Sequence, residues 1–140
     1  MMIRAREVGR LVELRHIPPA DASDLDEKAV TSLVEWLESV PNAVMCVDLR
    51  RATVLPPHLA DRLAAMMGGL RGHFERCADV MSVTQATAHM QVERITRASA
   101  DPARRVFTDP HAAIRWLDEV LDPEERARLR VFLLGPGTSV

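Results

Sequence analysis

The segment ARRVFTDPHAAIRWLDEVL, in the last third of the chain, indicates a short strand that leads directly into a capped helix. Val106 and Phe107 supply the apolar pair of the strand, and Thr108 or Asp109 stands where an N-cap is expected. Pro110 takes the first helical position, where its missing N–H breaks no hydrogen bond. A strand that passes at once into a helix is a βα unit, which favours folds in which helices cover a sheet.

A second strand-to-helix junction lies in the middle of the chain. The run AVMCVDL is apolar almost throughout, as strands covered on both faces are. Pro56 and Pro57 then precede a helix that we predict from His58 to near Cys77. Glycine weakens a helix interior, so we expect a kink in its second half or a close approach to another backbone there. The interrupting residues are Gly68, Gly69 and Gly72.

The first segment of the chain follows the same alternation. EVGRLVELRHI alternates roughly between apolar and charged residues and predicts one half-exposed strand. A helix is expected next, up to about Val40, with acidic residues in its first turn. Its N-cap is predicted at Asp21, Ser23 or Asp24.

The segments between and after the two junctions complete the pattern. ADVMSVTQA predicts a third short apolar strand, and a helix is expected from about Ala88 to Ala98. Asp122 and Pro123 repeat the capping pattern and begin a short final helix that ends between Leu129 and Leu133. These elements predict one α/β domain over residues 1–135, with a mixed sheet of four or five strands, and a disordered tail at 136–140.

Composition and charge argue against several classes of function. The 140 residues carry a formal net charge of −2, which predicts no bulk attraction to nucleic acid. No apolar run approaches the roughly eighteen residues of a membrane span, so we expect no stable membrane insertion and a cytoplasmic location. Cys46 and Cys77 fit neither a disulfide framework nor a zinc site and are interpreted as small buried hydrophobic residues.

The motifs of the common α/β enzymes are missing from the sequence. The P-loop requires a glycine-rich loop followed by lysine, but Lys28 is the only lysine and lies in the first predicted helix. GGLRG lies inside a helical pattern rather than at a dinucleotide-binding turn, and Ser82 has no flanking glycines for a nucleophile elbow. The five histidines show no spacing typical of a metal site. We therefore predict no catalytic residues, no metal and no cofactor.

With this order of elements the chain resembles the SpoIIAA-like proteins of the STAS superfamily, the anti-sigma-factor antagonist fold. Broader relatives include lipid-binding domains of the CRAL-TRIO type. The resemblance rests on VMCVDLRRAT as the central strand and its exit, on the helix from His58, and on RVFTDPHAAIRWL as the last strand and helix; it spans roughly Val8 to Leu121. It implies a STAS-like domain with a regulatory role in protein–protein interaction.

The chain departs from the phosphorylated antagonists at one place. In those proteins an aspartate at the strand exit is followed by a serine or threonine at the start of the next helix, which a partner kinase modifies. Pro56, Pro57 and His58 stand at the corresponding positions here and carry no hydroxyl, while Thr53 lies several residues too early. The resemblance therefore implies that this chain has the STAS-like fold but lacks the phosphorylation switch. In the phosphorylated antagonists the charge of the phosphate group alters the interface with a partner.

The resemblance and the missing catalytic motifs together predict a non-enzymatic module that binds a protein partner at the junction around residues 53–62. For Asp48 a turn cap is the alternative interpretation, and for His58 a plain solvent-exposed helix start. The residues assigned to the partner surface are Asp48, Arg50, Arg51, Thr53, Pro56, Pro57, His58 and Arg62.

Two other functions stay open at the level of sequence. The first is a carrier or sensor of a small ligand, with a lipid or acyl chain held between the sheet and the glycine-weakened helix near Met66, Met67 and Leu70. The second is an acid/base site built on Asp48, His58 and His89.

Self-association is a further possibility. The segment RARLRVFLLG exposes a contiguous apolar patch unless it packs back on the domain, and such patches mark interfaces. The C-terminal helix is therefore a candidate homo-oligomer contact, through Val131, Phe132, Leu133 and Leu134.

Overall fold

The computed structural model describes residues 2–18 and 26–135 of the chain. Within them, strands and helices follow one another in the order that the sequence predicts, after an additional strand at the start. The strands are β1 (Met2–Val8), β2 (Leu11–Ile17), β3 (Val44–Asp48), β4 (Arg76–Val80) and β5 (Arg104–Phe107). The helices are α1 (Glu27–Glu38), α2 (Pro57–Gly69), α3 (Ala86–Ser99), α4 (Pro110–Asp118) and α5 (Pro123–Leu134).

The five strands form one sheet in which sequence order and spatial order are the same. β1 and β2 pair antiparallel, whereas β2, β3, β4 and β5 run parallel to one another. The sheet is therefore mixed and has five strands, and the predicted α/β fold class is confirmed.

Helices cover the sheet on both faces. On one side, Val12 and Met45 of the sheet pack with Leu37 of α1 and with Leu70, which follows α2. On the other side, Val44, Cys46, Ala78 and Val80 pack with α4 and α5. This double cover explains the composition of β3 and β4, because a strand buried on both faces has apolar residues at successive positions.

The first strand of the sequence is two strands in the structure. We predicted one strand over EVGRLVELRHI, but the chain turns back at Gly9 and Arg10, and Val8 pairs with Leu11 across the turn. Gly9 has a φ of 56°, a conformation that glycine adopts without steric cost and that tight hairpin turns use. The roughly alternating pattern was a correct sign of a strand but did not reveal the turn inside it.

The helix ends follow local capping chemistry. Asp109 and Asp122 cap α4 and α5 as predicted, and the Asp122 cap is completed by Glu125, which accepts a hydrogen bond from the Asp122 N–H at 2.9 Å. The cap of α1 is Asp26, whose carboxylate accepts from the Ala29 N–H at 2.8 Å. The predicted caps of α1 lie outside the described residues; they are Asp21, Ser23 and Asp24.

The second helix is shorter than predicted. α2 ends at Gly69 instead of continuing to near Cys77, and Gly72 lies in the following turn with a φ of 85°. The expected close approach to another backbone is wrong, because a Cβ placed on Gly68 or Gly69 would meet no atom within 4 Å apart from the adjacent backbone of its own helix. These two glycines lie in the last turn of the helix.

The C-terminal helix packs back on the sheet. Phe132 and Leu133 are buried, while Val131 and Leu134 remain exposed by 54% and 46%. The continuous apolar patch expected from the sequence is thus broken, and homo-oligomer formation through α5 stays a prediction. The predicted disordered tail at 136–140 lies outside the described residues.

Among the residues that the structure describes, none of the helices combines the length and the apolar composition that a bilayer crossing requires.

Gly68→Ala is expected to raise the free energy of unfolding by about 0.5–1 kcal/mol, because alanine is the better helix former and its methyl group has room. Gly72→Ala is the matched control. It should lower the free energy of unfolding by about 1–2 kcal/mol, since the φ of Gly72 lies in the left-handed region. Urea denaturation of both variants measures these changes. A loss of stability in Gly68→Ala would contradict the assigned end of α2.

A candidate apolar ligand site

A cavity of about 70 Å³ lies between the sheet and the helices α1, α2 and α3. A single water molecule requires roughly 10–15 Å³ on the same measure, so the cavity holds several atoms. Every element of that side of the domain contributes to its wall. The apolar side chains that line it are Leu14, Leu33, Leu37, Met45, Val47, Leu49, Ala52, Leu55, Leu63, Met66, Met67, Leu70, Val92 and Ile95.

A buried ion pair forms one polar part of the wall. Arg104 of β5 donates from Nε and Nη2 to the two carboxylate oxygens of Asp79 on β4, at 2.9 and 3.1 Å. Both side chains are nearly inaccessible, with 5% and 2% exposed. Burial alone would lower the pKa of Arg104, but the adjacent Asp79 carboxylate outweighs burial and raises it. The pair therefore presents balanced charges to the cavity.

The segment 49–56, which joins β3 to α2, forms the roof of the cavity. Its Leu55 backbone is fixed to α3 by the side-chain amide of Gln91, which accepts from the Leu55 N–H and donates to the Leu55 carbonyl oxygen, both at 2.8 Å. Ala52 and Leu55 are buried on the inner side, whereas Thr53 is exposed at the margin of the cavity. Two hydrogen bonds from one side chain thus hold the roof in place.

His16, near the end of β2, is the unusual polar residue of the wall. It is 3% exposed, and its Nε2 atom is the one buried side-chain nitrogen or oxygen that lacks a hydrogen-bond partner within the described part of the chain. Burial lowers the pKa of His16 from 6.5 to about 4, so the imidazole is neutral at neutral pH. An unpaired buried polar atom costs free energy, which makes this position stand out in the core.

Two of the predicted partner-surface residues lie together at the exit of β3. Asp48 accepts from the Arg50 backbone N–H at 3.1 Å and from the Arg50 guanidinium at 2.9 and 3.0 Å. Arg15 of β2 donates to the same carboxylate at 3.0 Å. Burial would raise the pKa of Asp48, but these hydrogen bonds outweigh it and lower the pKa. Asp48 therefore caps the turn and closes an ion pair, as one of its two interpretations predicted.

The other predicted partner-surface residues lie on the outside of the roof and at the start of α2. Pro57 begins the helix after Pro56, as the sequence predicted. The side chains of Arg51, His58 and Arg62 are exposed, and none of them forms an ion pair or hydrogen bond with another described residue. Thr53 is the member of the predicted set that also lines the cavity.

The structure does not bring Asp48, His58 and His89, the residues of the alternative acid/base site, into contact with one another. Asp48 is engaged by arginines, His58 is exposed, and His89 lies on α3 beside Glu93, with 3.2 Å between Nε2 and Oε1. No cluster of three or more metal-ligating side chains occurs within the ranges 2–18 and 26–135.

The two cysteines are buried, as interpreted from the sequence, and pack in separate clusters on opposite faces of the sheet. Burial raises the pKa of the Cys46 and Cys77 thiols, so both stay protonated.

Sequence reasoning missed the polar residues that shape the cavity. His16 lies in an alternating strand, and its register after Leu14 is a signal that it shares the inner face. Gln91, Asp79 and Arg104 carry no such signal, since their partners lie on other elements of the fold.

Stability should fall as the pH drops through the titration range of His16. Above pH 6.5 the His16 imidazole is neutral in both the folded and the unfolded protein. Between pH 6.5 and about 4 the unfolded chain binds a proton at His16, whereas the folded protein does not. The free energy of unfolding should therefore decrease by about 3 kcal/mol over this range on account of His16. Urea titrations across the range should show a shallower decrease in His16→Leu, and equal slopes would contradict the assigned shift.

The site thus combines an apolar cavity, a balanced buried ion pair, a clamped roof and one unpaired imidazole nitrogen. Its wall is built from four strands and three helices, which places it in the interior of one half of the domain. Comparisons of the chain with protein-family models, with curated proteins and with solved structures found no significant match.

Proposed function

We propose that this chain is a non-enzymatic, STAS-like domain that binds a small apolar ligand in the cavity and acts as its carrier or sensor. The observation that carries the proposal is the cavity of about 70 Å³ with its mostly apolar wall. Protein interiors are close-packed and contain few voids larger than a water molecule, so room of this size favours an occupant. An apolar wall selects an apolar occupant, because such surfaces gain by leaving water.

The STAS-like part of the proposal is supported by the two βα units that carry the resemblance. β3 leads through its exit at Asp48 to α2, and β5 leads through Asp109 to α4. Both units lie in the parallel part of the sheet. The position of the cavity supports a binding role as well, since ligands of open α/β sheets bind near the carboxyl ends of the strands, where His16 and the roof segment lie.

Filling the cavity should abolish binding. Val47→Phe places a larger side chain on the cavity wall, while Val83→Phe makes the same substitution at a site that is 72% exposed. Xenon, a general probe of apolar cavities, should shift the NMR signals of methyl groups that line the wall, such as those of Ile95, in the wild type and in Val83→Phe. Val47→Phe should lose these shifts. Wild-type methyl signals that do not respond to xenon would contradict the proposal.

A protein partner at the junction is a second candidate function. It is favoured by Arg51, His58 and Arg62, which are exposed and make no ion pair or hydrogen bond to the described chain, beside Val54, which is 50% exposed. Exposed arginines next to an apolar residue are typical of the surfaces that proteins use for binding. This surface lies on the outside of the cavity roof, so it and the ligand site use opposite sides of one segment.

The double substitution His58→Ala and Arg62→Ala should lower the recovery of a specific partner from native lysate by about tenfold, which corresponds to about 1.4 kcal/mol. Arg94→Ala on α3 is the control, because Arg94 is exposed and lies outside the junction. Quantitative mass spectrometry of the recovered proteins measures the change. Equal recovery in the double variant, the control and the wild type would remove this surface from consideration.

A further inference from the structure

The Nε2 atom of His16 indicates which polar group a ligand in the cavity would need. A side chain with 3% exposure whose Nε2 atom has no partner among the described residues leaves a hydrogen-bonding position open inside the core. His16 borders the cavity, so an occupant of the cavity lies beside it. Buried polar atoms are almost always hydrogen-bonded in folded proteins, and an exception that borders a cavity is a position where a bound molecule can supply the missing partner.

The polar side chains of Asp79 and Gln91 in the wall are already engaged. The Asp79 carboxylate receives two hydrogen bonds from Arg104. The Gln91 amide uses both its oxygen and its nitrogen on the Leu55 backbone. Among the described residues of the wall, the one buried polar atom without a partner is the Nε2 of His16, while the exposed Thr53 lies at the margin of the cavity.

The cavity wall has no unbalanced charge, which disfavours binding of an ionic ligand. The imidazole of His16 is neutral at neutral pH because its pKa is lowered to about 4. The positive charge of Arg104 is balanced by Asp79. A carboxylate in this cavity would lose its hydration without gaining a free cation, which is strongly unfavourable. A hydroxyl group avoids this cost, and it donates to one tautomer of the imidazole or accepts from the other.

We propose that the cavity binds a small uncharged alcohol, an apolar body with one hydroxyl group that hydrogen-bonds to Nε2 of His16. The assignment rests on the proposed ligand-binding function and adds the chemical class of the ligand. Room for several water-sized groups fits a body of roughly five to seven non-hydrogen atoms. The apolar wall takes up the body, and His16 selects the hydroxyl.

Three probes of about seven non-hydrogen atoms each, the size that the cavity admits, test the assignment: cyclohexanol, methylcyclohexane and cyclobutanecarboxylate. Binding to the full chain is followed by NMR, with the imidazole ¹⁵N signals of His16 as a direct sign of a new hydrogen bond. In the wild type, cyclohexanol should bind and shift the Nε2 signal, and methylcyclohexane should bind without this hydrogen-bond shift. Cyclobutanecarboxylate should bind at least about tenfold more weakly than the alcohol.

His16→Leu should weaken cyclohexanol binding by about tenfold relative to methylcyclohexane, since the alcohol loses its partner and the hydrocarbon does not. Retained methylcyclohexane binding shows that the variant folds and keeps its cavity. His111→Leu, at an exposed histidine of α4 on the other face of the sheet, is the matched control and should leave both affinities unchanged.

The outcomes distinguish a failure of the alcohol assignment from a failure of the proposed ligand-binding function on which it rests. If neither cyclohexanol nor methylcyclohexane binds and xenon is also without effect, the ligand-binding function fails. If both probes bind, but the ratio of their affinities is the same in the wild type and in His16→Leu, the cavity binds apolar molecules and the assignment to His16 is overturned. An Nε2 signal that is unmoved by bound cyclohexanol overturns it as well, because the hydroxyl group then makes no hydrogen bond to His16.

Discussion

Burial of the central strands on both faces determines how the charged residues of this domain are arranged. A charged side chain on such a strand is removed from water, and an uncompensated buried charge is strongly destabilising. Each acidic residue buried on β2, β3 and β4 is accordingly bound by at least one arginine. The pairs are Glu13 with Arg128, Asp48 with Arg15 and Arg50, and Asp79 with Arg104.

The same pairs connect elements that lie far apart in the sequence. Arg128 belongs to α5 and reaches Glu13 on β2 at 2.8 Å. Arg15 holds Asp48 and also donates to the carbonyl oxygen of Phe132 on α5, at 2.7 Å. The C-terminal helix is thereby fixed to the sheet by charge as well as by its apolar side chains. The α4 and α5 face is closed in this way, and the cavity lies on the opposite face, where the Nε2 atom of His16 has no partner among the described residues.

Local sequence patterns were sufficient for much of this fold. Pro110 and Asp109 define a helix start by chemistry that involves only their neighbours, and both act as predicted. The turn at Gly9 was missed because the segment keeps a strand-like alternation on either side of it. The end of α2 was misplaced because the periodic apolar residues continue to Phe74 although the backbone has left the helix.

The candidate site was predictable only in part, since it depends on contacts between distant elements. Met66 and Leu70 were expected beside a cavity from their place near glycines, and both line it. The junction residues were located correctly at the end of β3 and the start of α2, but Asp48 and Arg50 are engaged with each other. The pairing of Asp79 with Arg104 requires knowing that β4 and β5 are neighbours, which no local pattern reveals.

The roof of the cavity has one further consequence. Ala52 and Leu55 face inward, while Thr53 and Val54 face solvent, and the Gln91 amide holds this short segment against α3. An inner ligand and an outer protein would therefore contact opposite sides of the same short segment. If an occupant favours one position of the segment, it changes the affinity of the outer surface, and thermodynamic reciprocity requires the outer protein to change the affinity for the occupant by the same factor. The segment would thus couple the two surfaces if both are occupied.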